Sequence, residues 1–113
     1  MKTIKESITI NELKKMSEKM FGNLVKAVVD IEKGIMVVDA ELHSDVENTL
    51  LESGSKQIDL WGINIYPELP KKYRIEFDSM INLLPRQGNR SRGVDSSEIR
   101  QKIIKICDKL IQK

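Results

Sequence analysis

The chain has 113 residues, of which 40% are hydrophobic and 32% are charged, as is typical of a single globular domain with one core. No apolar run approaches the roughly 18 to 20 residues needed to span a bilayer, and the N-terminal residues lack the apolar segment of a secretory signal. The single cysteine excludes an internal disulfide and a cysteine-based zinc site. We therefore expect a cytosolic protein with no membrane partner, stabilised by packing.

The charges are unevenly placed, although the net charge of +2 is too small to indicate a polyanionic partner by itself. Residues 34–55 contain five acidic side chains, the only histidine and no lysine or arginine. All five arginines lie between positions 74 and 100, and three of them fall within residues 86–92. Because arginine binds phosphate and carboxylate through a planar fork, residues 86–92 are the natural place for an anion site.

Three helices are predicted from apolar side chains at helical spacing and from capping signals. Thr9 and Glu12 form a capping box before the first helix, and Ser44 and Glu47 form another before the second. The polar segment 95–98 caps the third helix, whose apolar stripe ends at residue 110. The first two predicted helices cover about residues 10–21 and about 45–53, and the third follows the capping segment with an apolar stripe from Ile99 to Leu110.

Four strands are predicted from β-branched composition and from alternation of apolar and polar side chains. They cover residues 24–32, 35–42, 58–66 and 73–83. With the helices, the order is α-β-β-α-β-β-α. Two hairpins separated by a helix predict an α+β fold, in which one four-stranded, mainly antiparallel sheet carries the first and last helices on one face. The other face is expected to be at least partly open.

The loop over residues 87–93 is the sharpest local feature. Gly88 and Gly93 allow the backbone to approach an ion, and the side chains between them supply positive charge and neutral donors. Asp95 would occupy the N–H groups of the following helix, so the loop side chains would have to bind the anion. An equally weighted alternative is a solvated loop whose arginines pair with the acidic segment 34–55. The predicted ligand-binding residues are Arg86, Asn89, Arg90, Ser91 and Arg92.

A polar face of the sheet is the second feature. Clustered carboxylates bind Mg²⁺ or Mn²⁺, and a metal next to arginines is typical of phosphoester chemistry. The simpler interpretation, which we favour, is the solvated face of an ordinary antiparallel sheet. The residues expected on this face are Arg74, Glu76, Asp78 and Asn82, with Asn64, Tyr66, Asp39 and Glu41 from neighbouring strands.

His43 lies between two carboxylates, Glu41 and Asp45, where a metal-ligand or acid–base role is chemically possible. A lone histidine before a helix is more often a capping or packing residue, and no second group is placed to complete a catalytic triad. If the protein is an enzyme, we expect a phosphoester hydrolase that uses Mg²⁺ or Mn²⁺; otherwise no metal or cofactor is expected. Its catalytic residues would be Glu41, His43, Glu76 and Asp78.

Two single residues are predicted to have structural and not catalytic roles. Trp61 is expected in the core, with Gly62 beside it allowing a close approach to the strand. Cys107 lies on the apolar stripe of the last helix, where a buried and unreactive thiol is the ordinary interpretation.

Three segments, GSKQIDLWGINIYPE, IEFDSMIN and QGNRSRG, resemble a family of small prokaryotic proteins catalogued only as a domain of unknown function. The resemblance extends over nearly the whole chain, including VKAVVDIEKGIMVV and ELHSD. It implies a single domain and supplies no catalytic residue. The chain departs from the family pattern at Leu84, where an arginine is expected before Pro85.

Our leading functional hypothesis is a binding module for a phosphate-bearing small ligand or a nucleic-acid backbone. Aromatic residues make up only 4% of the chain, which argues against a stacking platform for single-stranded nucleic acid. The metal-dependent hydrolase is the competing hypothesis. A third is a homodimer through the open sheet face, with Trp61 or Tyr66 near its centre.

Overall fold

The computed structural model describes residues 1–20, 22–38 and 42–113. The predicted acidic residues Asp39 and Glu41 lie outside the described residues. Across these ranges no helix combines the length and hydrophobicity needed to cross a bilayer. The helices are α1 (Ile10–Lys19), α2 (His43–Glu52) and α3 (Ser97–Leu110), and the strands are β1 (Lys2–Ile4), β2 (Ile8–Thr9), β3 (Val25–Asp30), β4 (Ile35–Val38), β5 (Leu60–Ile65), β6 (Ile75–Glu76) and β7 (Ile111–Gln112).

Five strands form an antiparallel sheet in the order β1-β4-β3-β5-β6, and β2 pairs with β7 as a separate parallel pair. The α+β class is confirmed, as is the β3–β4 hairpin. Its turn forms because Asp30 Oδ1 accepts the N–H groups of Glu32 and Lys33, and Gly34 adopts a φ of +68°. The prediction of four strands missed β1, the fifth strand of the main sheet. Its three residues are too few to show an alternation of apolar and polar side chains.

The predicted strand over residues 73–83 is wrong over most of its length. Only Ile75–Glu76 pair with β5, and 3₁₀ turns occupy Lys71–Tyr73 and Met80–Asn82. Ser79 and Asn82 are buried, where they make hydrogen bonds to backbone groups. The two buried polar side chains are three residues apart, as in a 3₁₀ turn, so the alternation over residues 73–83 does not correspond to strand pairing beyond Glu76.

Side-chain alternation divides the main sheet into two faces, each with its own apolar cluster. On the central strand β3, Val25, Ala27 and Val29 belong to the cluster that contains residues of α1 and α3, whereas Val28 belongs to the cluster that contains residues of α2. The prediction that the first and last helices share one face is confirmed. The opposite face was predicted to be at least partly open. Helix α2 covers the apolar part of that face.

The helix starts follow the predicted caps in two of three cases. Thr9 Oγ1 accepts the N–H of Glu12 at 3.1 Å, and Ser96 Oγ accepts the N–H of Ile99 at 3.3 Å. The predicted box of Ser44 and Glu47 is wrong, because α2 already begins at His43 without a side-chain cap. Burial of the His43 side chain selects the earlier start.

Trp61 packs in the cluster under the terminal helices with 3% of its surface exposed, which confirms its core position. It therefore does not lie on the face that was expected to form a homodimer. Tyr66 is half-buried. Homodimerisation stays a prediction, and Trp61 cannot be at its centre.

Gly62 on β5 is in close contact with the turn that follows β6. A Cβ atom at Gly62 would lie 2.5 Å from both Cβ and Oγ of Ser79. The backbone N–H of Gly62 donates to Asn82 Oδ1 at 2.9 Å, and Asn82 Nδ2 donates to the Gly62 carbonyl at 3.0 Å. The Asn82 amide thus takes the place of a neighbouring strand's peptide group.

Gly62→Ala should lower the free energy of unfolding by about 1–3 kcal/mol, because the new methyl group overlaps Ser79. Urea unfolding followed by circular dichroism measures the change. In the double variant Gly62→Ala with Ser79→Gly the overlapping atoms are absent, so the two effects should be less than additive. Strict additivity would show that the contact does not constrain the fold.

Candidate functional site

A row of polar side chains crosses the end of the sheet face that α2 leaves uncovered. Lys26, Asn64 and Glu76 are register partners on three adjacent strands, with Lys26 opposite Asn64 and Asn64 opposite Glu76. We call these three residues the polar row. Neighbouring strand partners are close enough for their side chains to interact, so the row is a continuous strip.

Asn64 is the buried centre of the polar row. Its Nδ2 donates to Glu76 Oε1 at 2.9 Å and to the carbonyl of Asp78 at 3.4 Å, and the Tyr66 hydroxyl donates to the same Glu76 oxygen at 3.1 Å. Turning the amide over would put its oxygen against the Glu76 carboxylate, so the contacts fix its orientation. Asn64 is 7% exposed, and its Oδ1 is buried with no hydrogen-bond partner in the described part of the chain. Such an acceptor costs about 1–3 kcal/mol until a donor reaches it.

His43 contacts the same sheet from the start of α2. Its Nε2 lies 2.8 Å from the Ile63 carbonyl oxygen. A carbonyl only accepts, so Nε2 carries the proton, and Nδ1 is the unprotonated nitrogen of the neutral ring. Burial lowers the pKa of His43, and the bond to Ile63 opposes this only in part; Lys26 and Arg92 lower the pKa further, whereas Asp78 raises it. At neutral pH the ring is therefore a neutral acceptor.

Arg92 connects the loop to the sheet. Its Nε lies 2.8 Å from Asp78 Oδ1, in an ion pair in which both side chains are about half exposed. An exposed pair of this kind contributes roughly 0–1 kcal/mol. The main chain of Arg92 is held more firmly, because its carbonyl accepts from the Ser79 N–H and from Asn82 Nδ2, each at 2.9 Å.

Asn89 organises the interior of the loop. Its Nδ2 donates to the carbonyls of Asn82, Ser91 and Gly93 at 2.6, 3.1 and 2.9 Å, and its Oδ1 accepts the N–H of Asp95 at 2.8 Å. The side chain is buried, with the residue 4% exposed. These bonds occupy the amide that was expected to orient a ligand.

Asp95 occupies the other predicted donors of the loop. Its carboxylate accepts from Ser91 Oγ at 2.6 Å and from the backbone N–H of Arg90 at 2.9 Å. The bond from Ser91, followed by the one from Arg90, lowers the pKa of Asp95. The neutral groups of the loop thus bind the protein's own carboxylate.

The remaining arginines of the loop extend into solvent. Arg86 and Arg90 are exposed, and within the described residues neither guanidinium forms an ion pair. The described part of the acidic segment 34–55 pairs with none of the loop arginines. The alternative that this loop is neutralised by that segment therefore receives no support from the described ion pairs.

The predicted carboxylates are only partly brought together. Glu76 contacts Asn64 through its carboxylate and Asp78 through its backbone carbonyl, while Glu41 lies outside the described residues. Among the residues described, no three His, Cys, Asp or Glu side chains are close enough to hold a metal. Arg74, expected beside Glu76, instead lines a groove near the end of α3.

Two contacts at the candidate site were missed by sequence reasoning. Asn82 was expected on the solvated face but is completely buried against Gly62. The contact of Arg92 with Asp78 joins the arginine-containing loop to the polar face of the sheet, which the sequence analysis had treated as separate features. The glycine in the middle of an apolar strand was the available signal for the first contact; nothing in the spacing indicated the second.

Comparison with known proteins places the chain in a family. It belongs to the family described as Protein of unknown function (DUF5674). The match covers residues 2–110 and confirms the resemblance drawn from the three sequence segments. Comparison with curated proteins found no match, and comparison with solved structures found none. The functional argument for this DUF5674 member therefore depends on its geometry.

His43→Gln should remove a pH dependence of stability, because Gln keeps a donor for the Ile63 carbonyl but does not titrate. In the native protein the pKa of His43 is lowered, so below the unfolded value of about 6.5 only the unfolded chain takes up the proton. Native stability should thus fall between about pH 7 and 5, relative to the variant. Urea unfolding of both proteins at a series of pH values measures this difference in stability. The contribution of the carboxylates cancels, because both proteins have the same ones. Parallel stability curves would contradict the assignment.

Proposed function

We propose that this protein binds a small ligand carrying both a phosphate group and hydroxyl or N–H donors, where the loop 86–92 meets the polar row. The observation that carries the proposal is the buried Asn64 Oδ1, to which none of the described residues donates a hydrogen bond. Nearby, His43 Nδ1 is a second acceptor, since the proton lies on Nε2. A ligand with only negative charge would leave both acceptors unsatisfied. A sugar phosphate or a nucleotide supplies donors as well as charge.

The arginines supply the anion-binding part of the site. Arg92 contacts Asp78 through Nε, and among the described residues no ion pair is formed by its two terminal nitrogens, which are the candidate donors for a ligand. Arg90 extends from the same loop, and Arg86 lies in the preceding 3₁₀ turn. Because Asn89 and Ser91 are bonded internally, their role in binding is to shape the loop that carries the arginines.

A small ligand fits better than a nucleic-acid backbone. Asp78 and Asp95 lie directly beside the loop arginines, so the local positive charge is largely offset. Binding to a polymer backbone depends on many uncompensated cations and on the counterions they release. The low aromatic content also removes base stacking as a source of affinity.

The variant Arg90→Gln with Arg92→Gln should weaken binding of ribose 5-phosphate by about tenfold or more, since it removes charge-assisted hydrogen bonds worth roughly 1.5–3 kcal/mol each. Isothermal titration calorimetry measures the affinity. The thermal midpoint should change little, because the one ion pair lost is exposed.

Arg74→Gln is the matched control, because it removes the same charge from a different groove. Its affinity for ribose 5-phosphate should equal that of the native protein. Inorganic phosphate is the second probe and should bind more weakly, since it does not reach Asn64. Equal binding by the double variant, or no binding by the native protein, would refute the proposal.

Metal-dependent phosphoester hydrolysis is the second candidate. The observation in its favour is the neutral His43 ring, whose Nε2 bonds to Ile63 and whose Nδ1 is left as a base. Glu76 and Asp78 would supply carboxylate oxygens of the kind Mg²⁺ and Mn²⁺ prefer. The bound phosphate would have to complete the coordination.

For this candidate, Mn²⁺ should broaden the NMR signals of Asn64 and Asp78 and support hydrolysis of bis(p-nitrophenyl) phosphate. Glu76→Gln should reduce both effects, because it removes one anionic ligand while keeping an acceptor for Asn64 and Tyr66. Glu68→Gln, on an exposed glutamate, is the control. Unchanged signals together with no turnover would exclude the hydrolase.

A further inference from the structure

A groove of about 520 Å³ lies where β6, β7 and the end of α3 meet, on residues that the proposed ligand site does not use. Its floor is apolar and comes from four elements of the chain. The floor residues are Ile10, Ile75, Cys107 and Ile111. A cavity of about 530 Å³ adjoins it and shares Lys71, Ile75 and Asp108. Both volumes fall within the range of roughly 300–1,000 Å³ that is usual for small-molecule sites.

The rim of this groove is positively charged. Lys71, Arg74 and Lys113 line it, and Asp108 is the one acidic residue among its lining side chains. Asp108 is already paired with Lys71 at 3.6 Å. The C-terminal end of α3 adds a partial negative charge of about half an elementary charge. Two cationic side chains therefore remain in excess over an apolar floor.

Arg74 is the most constrained of the three cations. Its carbonyl accepts from the N–H of Tyr66 at 2.8 Å, which fixes its main chain against the end of β5. Its Nε is buried and has no hydrogen-bond partner in the described part of the chain. A buried guanidinium N–H without an acceptor is unfavourable, and a carboxylate matches the fork of a guanidinium. Arg74, which lines the groove, therefore has hydrogen-bonding capacity that the described residues do not fill.

We infer that this groove binds a monocarboxylate with an extended apolar body, such as a medium-chain fatty acid. The carboxylate pairs with Arg74 and Lys113, and the hydrocarbon covers Ile75 and Ile111. The cationic rim complements the carboxylate of this ligand, and the apolar floor complements its hydrocarbon chain. A free phosphate would use only the cations, and an uncharged hydrocarbon would leave the Arg74 Nε unsatisfied.

Decanoate, below its micelle concentration, is the probe for this site. In ¹H–¹³C spectra of the native protein it should shift the methyl signals of Ile75 and Ile111 in a saturable way. Arg74→Gln should weaken the binding by about tenfold or more, because a charge-assisted pair is lost. Decanol, which has the same chain without the carboxylate, should bind at least about tenfold more weakly than decanoate.

Lys102→Gln is the matched control, because Lys102 is exposed on α3 and does not line the groove. It should bind decanoate as the native protein does. Circular dichroism establishes whether each variant is folded. If Arg74→Gln does not fold, Lys113→Gln tests the rim in its place. The inference is overturned if decanoate causes no saturable shift, if decanol binds equally well, or if the folded rim variants bind as tightly as Lys102→Gln.

Discussion

The pairing of the Asn82 side chain with the backbone of Gly62 is the contact on which the site depends. At this point β5 has no further strand beside it, and its N–H and carbonyl would be buried without partners. The Asn82 amide satisfies both groups. Because Asn82 also bonds to the Arg92 carbonyl, and Asn89 to the Asn82 carbonyl, one chain of amides connects the sheet to the loop.

This network separates the structural half of the loop from its exposed half. The side chains of Asn89, Ser91 and Asp95 form hydrogen bonds within the loop and to neighbouring carbonyls. Their polar groups therefore stabilise the shape of the loop. The guanidinium groups of Arg90 and Arg92 remain on the outside, the second next to Asp78. A well-bonded loop with exposed charged side chains suits the proposed ligand binding, since little main-chain entropy is lost when the ligand arrives.

Periodicity predicted the parts of the fold that are governed by burial. The β3–β4 hairpin, β5 and the first and last helices follow directly from apolar spacing. It failed over residues 73–83, where Ser79 Oγ accepts the N–H of Ile81 within a turn and the Asn82 amide bonds to Gly62 in place of a neighbouring strand. The clustering of arginine was visible in the sequence, but its contact with Asp78 depends on where two distant segments meet. Long-range polar contacts of this kind leave no local period to detect.

The buried polar residues differ in how completely the described part of the chain satisfies them, and Glu47 Oε2 and Trp61 Nε1 also have no partner there. Asp30 accepts from two backbone N–H groups and from Ser55, and both Asn82 and Asn89 use oxygen and nitrogen alike. Asn64, which is 7% exposed, uses only its nitrogen within the described part of the chain. Because a fold selected only for stability tends to satisfy or remove such an acceptor, this oxygen supports the proposal of a ligand that carries a donor. Arg74 Nε likewise has no partner among the described residues, and Arg74 lines the other groove.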